Sequence, residues 1–526
     1  MKNLKAEPSR REATRKTAEG SPSAVARLAG RQVSSTLKPE KKKKGSNKRI
    51  PSSPLQASRF KSHPSLERDL RKLIPLASGV ITDPARLAEL GKDKWFAASL
   101  PEIAVAPGSA KEVAAVLGYA DRHNIPVTTR GAGHGYVGGC VPVRGGILIS
   151  MHRMNRIREI SGEDFVAVVE PAVITGVLQT EVVKKGLFYP PDPQSYKDCS
   201  LGGNIATNAG GPRCLKYGVT RPYVLGLQVA LADGTLVRVG GRTHKNKTGF
   251  DLVGMFVGSE GMLGVITEAT LRLLPLPPAR VTLSAGFGSM RDAAAAVQAI
   301  FKAGYLPCAV EVADSFTLQS ARNAPKEVTG QAKGTFIPPG KAHLLVELDG
   351  QKASVLSEGK ALKALLAKNK ALEVELATSP ERCERIWALR RAFSASLKAT
   401  GLTKLNEDIA VPRGRLVDLI SFAEKLQKKT GFPIACFGHA GDGNIHVNVM
   451  VSKEQQAKRP KEIEGVLDAL FTQVIKWGGA ITGEHGIGLA KKRWWNEATS
   501  SELRDLHIRI KKALDPKDIL NPGKFV

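Results

Sequence analysis

Glycine is concentrated in three short segments of this chain, and two of them adjoin runs of strand-forming residues. The first, RGAGHGYVGG (130–139), comes straight after the β-prone run IPVTT (125–129). Its glycines at 131, 133, 135, 138 and 139 remove the Cβ where backbone must turn through positive φ or lie close against a ligand. Successive N–H groups can then converge on an anion, and a pyrophosphate suits such a nest. The segment does not run on into a helix with the spacing of a nicotinamide-nucleotide fingerprint, which argues against that kind of site. The second segment is PPDPQS (190–195) followed by SLGGNIATNAGG (200–211). It adds Asn204 and Asn208, whose amides can donate to and accept from ring edges or phosphates. The third, VGSEGMLGVIT (257–267), passes straight into a strand.

Around these loops the pattern alternates between periods of 3.6 and 2. A helix is expected over 110–122, with strands over 146–150, 165–170 and 264–274 and a hairpin of 224–231 with 236–239 across Asp233-Gly234. The proline cluster LPLPP (274–278) breaks the pattern and reads as a domain boundary. Beyond it come strand runs at 281–287, 308–312 and 343–348 and helical stretches at 291–302, 353–366 and 380–399. A final helix is expected to end near 514, before the stop DPKDILNPG (515–523). There is no internal repeat.

A second chemical signature lies near the C-terminus. FGHAGDGNIH (437–446) sets His439 and His446 on either side of a glycine-rich turn between strand runs 435–439 and 445–451. In a hairpin they would lie almost opposite each other, near enough for both imidazoles to hold one divalent ion. Asn448 shares the strand face of His446 by the period of two. TGEHGIG (482–488) supplies the Glu484 carboxylate beside a further histidine, His485. Neutral imidazoles and a carboxylate with open positions suit a catalytic metal better than a closed structural one.

The formal charge of +29 would point toward nucleic acid if it were spread over folded surface. It is not: residues 1–61 hold 17 Lys and Arg against 4 Asp and Glu, in a Ser- and Pro-rich stretch too poor in apolar residues to offset its ordering entropy. A disordered basic tail is therefore expected over 1–65, able to touch anionic surfaces weakly, and a nucleic-acid-binding protein is the alternative that rests on charge alone. Glu7, Glu12 and Glu19 weigh against a mitochondrial transit peptide. Six cysteines without paired spacing, and no apolar run of bilayer-crossing length, lead to an expected cytoplasmic location, peripheral to a membrane at most, with mitochondrial import a lesser alternative.

Taken together, the three glycine segments, the two-histidine turn, GEHG and the closing NPGK (521–524) resemble the FAD-linked oxidases of the vanillyl-alcohol-oxidase type. Their best-known members are D-lactate, glycolate and D-2-hydroxyglutarate dehydrogenases. The resemblance covers roughly residues 90–526. It implies an α+β protein: a two-subdomain FAD-binding domain (66–278), an α+β cap or substrate domain with an antiparallel sheet and the metal site (279–484), and a C-terminal segment (485–526) returning to the FAD domain. The FAD contacts it implies are Arg130, Gly131, Ala132, Gly133, His134, Gly135 and Gly139 in the first loop. Pro191, Asp192, Ser195, Gly203, Asn204, Asn208, Gly210, Gly211, Tyr217 and Gly218 follow in the second, then Val265, Ile266 and Asn521. Relatives with covalently attached flavin often place a histidine where this chain has His134, so a histidyl–flavin bond and a simple hydrogen bond are both open there; Cys140 and Cys199 are weaker attachment candidates.

The same resemblance makes His439, His446 and Glu484 the metal ligands, with zinc preferred and manganese second, and His485 the acid-base residue, with Asn448 looking into the same pocket. A cation beside His485 is expected to keep its imidazole neutral. WALR (387–390) is similar to the family's carboxylate-binding segment, which implies Arg390 as anchor and Ser394, one helical turn on, as its helper. The 2-hydroxyglutarate type carries a lysine where this chain has Asn406. That tilts the expectation toward lactate- or glycolate-like substrates, with Lys404 able to substitute only if the backbone shifts. The implied reaction is hydride transfer from a small, D-configured 2-hydroxy acid to flavin N5, with an unidentified electron acceptor and, as an open expectation, a homodimer. A flavin transferase related to alkyl-dihydroxyacetone-phosphate synthase is the competing enzyme reading.

Overall fold

The computed structural model describes residues 65–329 and 337–526; the basic tail lies outside the described residues except for its last position. Its first sheet has the order Val80–Ile81, Ile103–Val105, Ile147–Ser150, Val127–Arg130, and the last three strands run parallel. Parallel neighbours need a crossover. The helix Ala110–Arg122 makes the crossover from Ile103–Val105 to Val127–Arg130, the two strands that flank Ile147–Ser150; it is capped by the Ser109 side chain and buries Val113, Val116 and Leu117 against the sheet. The strand Val127–Arg130 ends where the first glycine loop begins, so that loop stands at the carboxyl end of a parallel sheet, where α/β folds place ligands.

A second, antiparallel sheet has the order Ile157–Ser161, Val166–Val169, Val265–Arg272, Val224–Ala230, Leu236–Gly240. Its central strand alternates buried and half-buried residues, as an antiparallel strand with one covered face should. The chain's end ties into the first sheet: Val127 donates to the Ile519 carbonyl at 2.7 Å, and Asn521 donates back to the Val127 carbonyl at 2.7 Å.

The third sheet has seven antiparallel strands in the order Ala371–Ala377, Ala279–Phe287, Ala342–Gly350, Ala309–Ala313, Ile434–His439, Asn444–Val451, Thr403–Ala410. Helices Met290–Lys302, Lys352–Lys368, Leu416–Thr430 and Pro460–Lys476 contribute to the core on one face. From the edge strand Thr403–Ala410 and its neighbour Asn444–Val451 that core takes Ile409, Ile445, Val447 and Val449. The period of two therefore turns Lys404, Asn406, Asp408, His446 and Asn448 to the opposite face, where the chemistry is. Most expected elements lie within a residue or two of their places. The strands Ala371–Ala377 and Thr403–Ala410 and the helices Leu416–Thr430 and Pro460–Lys476 were not read from the pattern.

One buried group gives this sheet a pH signature. His343 is 1% exposed and its Nε2 lies 2.9 Å from Ser284 Oγ. Burial, and then the Arg390 charge, push its pKa down to about 3, against about 6.5 in the unfolded chain. Below about pH 6.5 the unfolded state binds a proton that the native state refuses, so this contribution is complete above that pH and is lost on acidification toward pH 3. The melting temperature of wild type is expected to fall more steeply between pH 7 and pH 4 than that of His343→Gln; parallel curves would show that the residue contributes no such linkage.

Candidate active site

A cavity of about 510 Å³ opens between the glycine loops and the exposed end of the seven-stranded sheet. The first loop contributes Gly131, Ala132, Gly133, His134, Gly135 and Gly139 to its wall; the second contributes Ser195, Gly203, Asn204 and Gly210, and the third leads to Val265 and Ile266. The sheet side brings Ser394, Asn406, Phe437, His446, Glu484 and His485. The close packing requires glycine at specific points: a Cβ at Gly131 would collide with Ser200 Oγ, which instead accepts from the Ala132 amide at 3.2 Å. Gly133 has φ +72°, open to glycine at little cost.

Other sequence-nominated residues support the cavity from behind. Arg130 Nη1 donates to the Leu90 carbonyl at 3.1 Å and to the Lys92 carbonyl. The Pro191 carbonyl accepts from Gln179 at 2.9 Å. Asn208 is the left-handed residue ending the helix Leu201–Thr207, and its Oδ1 accepts from Arg221 N at 2.9 Å, so it braces the loop and does not line the wall. The residues 200–211 thus fold partly as helix, with Gly202 packed on Pro171. Gly218 closes the helix Cys214–Tyr217 at φ +80°. Tyr217 donates to Asp349 at 2.7 Å, and Gly211 lies against Asp192, which pairs with Arg213 at 2.7 Å. Asn521 bonds the carbonyls of Gly139 at 2.9 Å and Glu260 at 2.7 Å, joining two glycine loops through one amide.

At the sheet side, ligand atoms of His439, His446 and Glu484 lie within 4.8 Å of one another. His446 Nε2 stands 3.4 Å from Glu484 Oε1 and His439 Nε2 3.7 Å from Glu484 Oε2. His439 is held through its other nitrogen, Nδ1, by Glu311 Oε1 at 2.5 Å, and Arg390 Nε holds the second oxygen of Glu311 at 2.5 Å. Burial alone would raise the Glu484 pKa, but the two imidazoles hold it well below the usual carboxylate range. Burial would lower that of His439, but Glu311 and Glu484 hold it well above 6.5. Both shifts describe an anionic pocket with a demand for positive charge. Glu484 Oε2 and His446 Nδ1 are buried without a hydrogen-bond partner. A divalent ion fits this donor set.

His485 sits beside them, its Nδ1 3.8 Å from Asp408 Oδ2 and its Nε2 3.8 Å from Glu484 Oε1. Burial lowers its pKa to about 4 against the opposing charges of Asp408 and Glu484, so the imidazole is neutral at pH 7. Tyr136 of the first loop stacks on His485 with ring centroids 5.3 Å apart, and His485 stacks on His446 at 5.5 Å. Three residues missed in the sequence reading organise the site. Asp408 is one: its Oδ2 accepts from Thr482 Oγ1 and from the amides of Gly483, Glu484 and His485 at 2.9–3.0 Å. Glu260 fixes the next turn through Ile487 N at 2.7 Å and Gly488 N at 2.9 Å, and Glu311 orients His439.

The carboxylate-binding segment is arranged differently from the expectation. Arg390, 2% exposed, is engaged with Glu311 and lies 5.1 Å from the Phe437 ring; it faces a separate cavity of about 650 Å³ with Arg213, Glu347 and Trp387. Ser394 does line the cleft. Asn448 is fully buried, its Nδ2 bonded to the carbonyls of Ala435 and His446 and its Oδ1 unpartnered.

The cleft thus sets glycine loops on one wall against an imidazole and carboxylate cluster on the other. FAD-binding and FAD linked oxidase C-terminal domain families match residues 101–240 and 276–525 respectively. The chain is 37% identical over 81% of its length to the glycolate oxidase subunit GlcD of Bacillus subtilis, covering 89% of that protein, and 34% identical over 81% of its length to the D-lactate dehydrogenase of Anaerostipes hadrus, again covering 89% of it. Among solved structures, p-cresol methylhydroxylase with substrate bound superposes with a TM-score of 0.69 at 20% identity, covering 87% of this chain and 95% of that one. An alkyldihydroxyacetonephosphate synthase gives 0.69 at 21% identity over 90% of this chain and 87% of that one. The chain belongs to the FAD-linked oxidases. It is an FAD-binding oxidoreductase of α+β fold, and among the described residues no helix is long and apolar enough to cross a membrane.

Proposed function

We propose that this protein oxidises a small 2-hydroxy acid to the 2-oxo acid. The observation that carries the reading is that His446, Glu484 and the neutral His485 line the cleft walled by the three glycine loops, with His439 clustered directly behind them. Oxidising an alcohol removes a hydride from carbon and a proton from oxygen, so a base and positive charge must meet at that oxygen. Bound FAD would supply the hydride acceptor, and a divalent ion, zinc before manganese, on His439, His446 and Glu484 would supply charge for the developing alkoxide.

His485 takes the hydroxyl proton. Its neutral imidazole has a free lone pair at pH 7, and Asp408 beside Nδ1 stabilises the imidazolium that forms. Tyr136 covers the ring's outer face and restrains it. Glu311 and Arg390 hold His439 in one tautomer and orientation, as outer partners of metal-binding histidines do. His134, half-buried in the wall, contacts the cofactor without a covalent bond; acid-denatured protein is expected to have the mass of the bare polypeptide, and a mass higher by one flavin would contradict that.

Turnover is expected with a redox dye as acceptor and a D-2-hydroxy acid of lactate or glycolate size as donor, yielding the 2-oxo acid. Prolonged chelation should reduce it at least tenfold, with recovery on adding zinc or manganese. Dye-independent consumption of an acyl ester would instead favour the transferase reading, and a full panel of 2-hydroxy acids without dye reduction would refute this one.

A further inference from the structure

We infer that Arg213 is a positioning residue that sets the spacing of the cleft, holding the second glycine loop against the sheet and helix that carry the opposite wall. The inference rests on the 2-hydroxy-acid reading above. In that reaction the substrate carbon gives up its hydrogen with the bonding electron pair to the flavin, while the hydroxyl proton passes to His485. Reacting atoms must stand about 3–3.5 Å apart for this, so two walls built from distant parts of the chain have to be kept in register.

The second glycine loop is the wall that meets the carboxylate cluster directly. Gly210 lines the cleft, and a Cβ there would stand 3.3 Å from Glu484 Cβ and 3.4 Å from Glu484 Oε2. Gly211 packs so closely on Asp192 that a Cβ would fall 2.4 Å from its carbonyl oxygen. Two residues on, Arg213 locks the segment. Its Nη1 donates to Asp192 Oδ2 at 2.7 Å, and its Nη2 reaches across to the strand Ala342–Gly350 and donates to Glu347 Oε1 at 3.1 Å. Glu347, 1% exposed, accepts with its other oxygen from Trp387 Nε1 at 2.6 Å and from Thr282 Oγ1 at 3.0 Å. Trp387 stands two helical turns before Ser394, a cleft residue of the same helix, and the Arg213 guanidinium lies 5.9 Å from its ring. One side chain therefore touches the loop, the sheet and the helix that frame the cleft. Lys216 and Tyr217 add bonds to the cap strand, but both end on the single residue Asp349. Bridging two carboxylates from separate elements suits the planar fork of a guanidinium and not the point charge of an ammonium.

The test follows flavin reduction by a 2-hydroxy acid in anaerobic stopped flow, using flavin-loaded protein, with oxalate binding read from the flavin spectrum. Removing the guanidinium alone leaves Glu347 buried without its cation. Two variants are therefore compared: Arg213→Lys, which keeps the charge without the fork, and Arg213→Met combined with Glu347→Gln, which removes both charges. The double variant is expected to slow the reduction step about 10–100-fold, with FAD content and the oxalate Kd within about threefold of wild type, and Arg213→Lys to fall between. Amide hydrogen exchange over 205–218 is expected to be faster in both. Reduction within about threefold of wild type in the double variant, at equal flavin content, would overturn the assignment. Loss of FAD from both variants would overturn it too, since the residue would then serve cofactor retention. If no 2-hydroxy acid reduces the wild type, the functional reading fails by itself; exchange then decides on Arg213 alone, and wild-type exchange over 205–218 in both variants removes it from the role.

Discussion

Replacing His485 by asparagine is expected to lower kcat by about 10²–10⁴-fold while leaving FAD content unchanged. The side chain is the neutral base at the cleft, and asparagine keeps polarity and approximate size but cannot take a proton at pH 7. His485 lies outside the glycine loops, and its amide bond to Asp408 comes from the backbone, so the turn 482–485 should persist in the variant. Steady-state rates normalised to bound flavin check this. A loss below about tenfold would assign the proton to another group.

Asp408→Asn is expected to be the most damaging single substitution for folding. One oxygen of this fully buried carboxylate gathers three amides and a hydroxyl of the 482–485 turn, and the other accepts from Asn444 at 2.7 Å. Lys491, 2% exposed, has its ammonium 3.4 Å away, and that charge overrides the burial that would raise the Asp408 pKa, holding it well below the usual range. An asparagine removes the carboxylate nearest the buried Lys491 ammonium, which keeps only the Asp408 carbonyl and the weaker fields of Glu407 and Glu260, and can turn an amide N–H toward four donors. Breaking a buried pair in this way costs about 3–5 kcal/mol, to be measured by denaturant unfolding of the flavin-loaded protein. A loss below about 1 kcal/mol would mean that the turn is held by other contacts.

The two variants also show where sequence reading reaches and where it stops. His439, His446, Glu484 and His485 are legible because each lies in a short glycine-bounded motif whose local geometry, a hairpin or a tight turn, already constrains its neighbours. Asp408, Glu311 and Glu260 carry no such local mark. Each holds a turn or ring 74 to 228 positions away, and a single buried carboxylate in a strand or loop does not announce which turn it will satisfy. Asn208 illustrates the converse: a polar residue in a glycine-rich run can be a ligand or the left-handed end of a helix, and the pattern alone does not announce the helix end that it forms here. The strand Thr403–Ala410 likewise leaves no local mark in the pattern. Once that strand is given, its period places Lys404 on the same face as Asn406.

The glycine loops give the fold its legible part, since their spacing after a strand leaves few alternatives to a wrapped phosphate-bearing cofactor. The order of the seven-stranded sheet does not follow from any local signal: strands 403–410 and 444–451 pair at one edge while 371–377 closes the other, and four helices pack on one face.

The most direct test of the whole account is anaerobic mixing of the purified yellow protein with single enantiomers of 2-hydroxy acids while the visible flavin band is followed. The account predicts rapid bleaching by one enantiomer in wild type, with bleaching slowed by orders of magnitude in His485→Asn and Glu484→Gln at equal flavin content. Bleaching that proceeds at the wild-type rate in both variants would contradict it, because electrons would then be leaving a substrate that those residues do not hold.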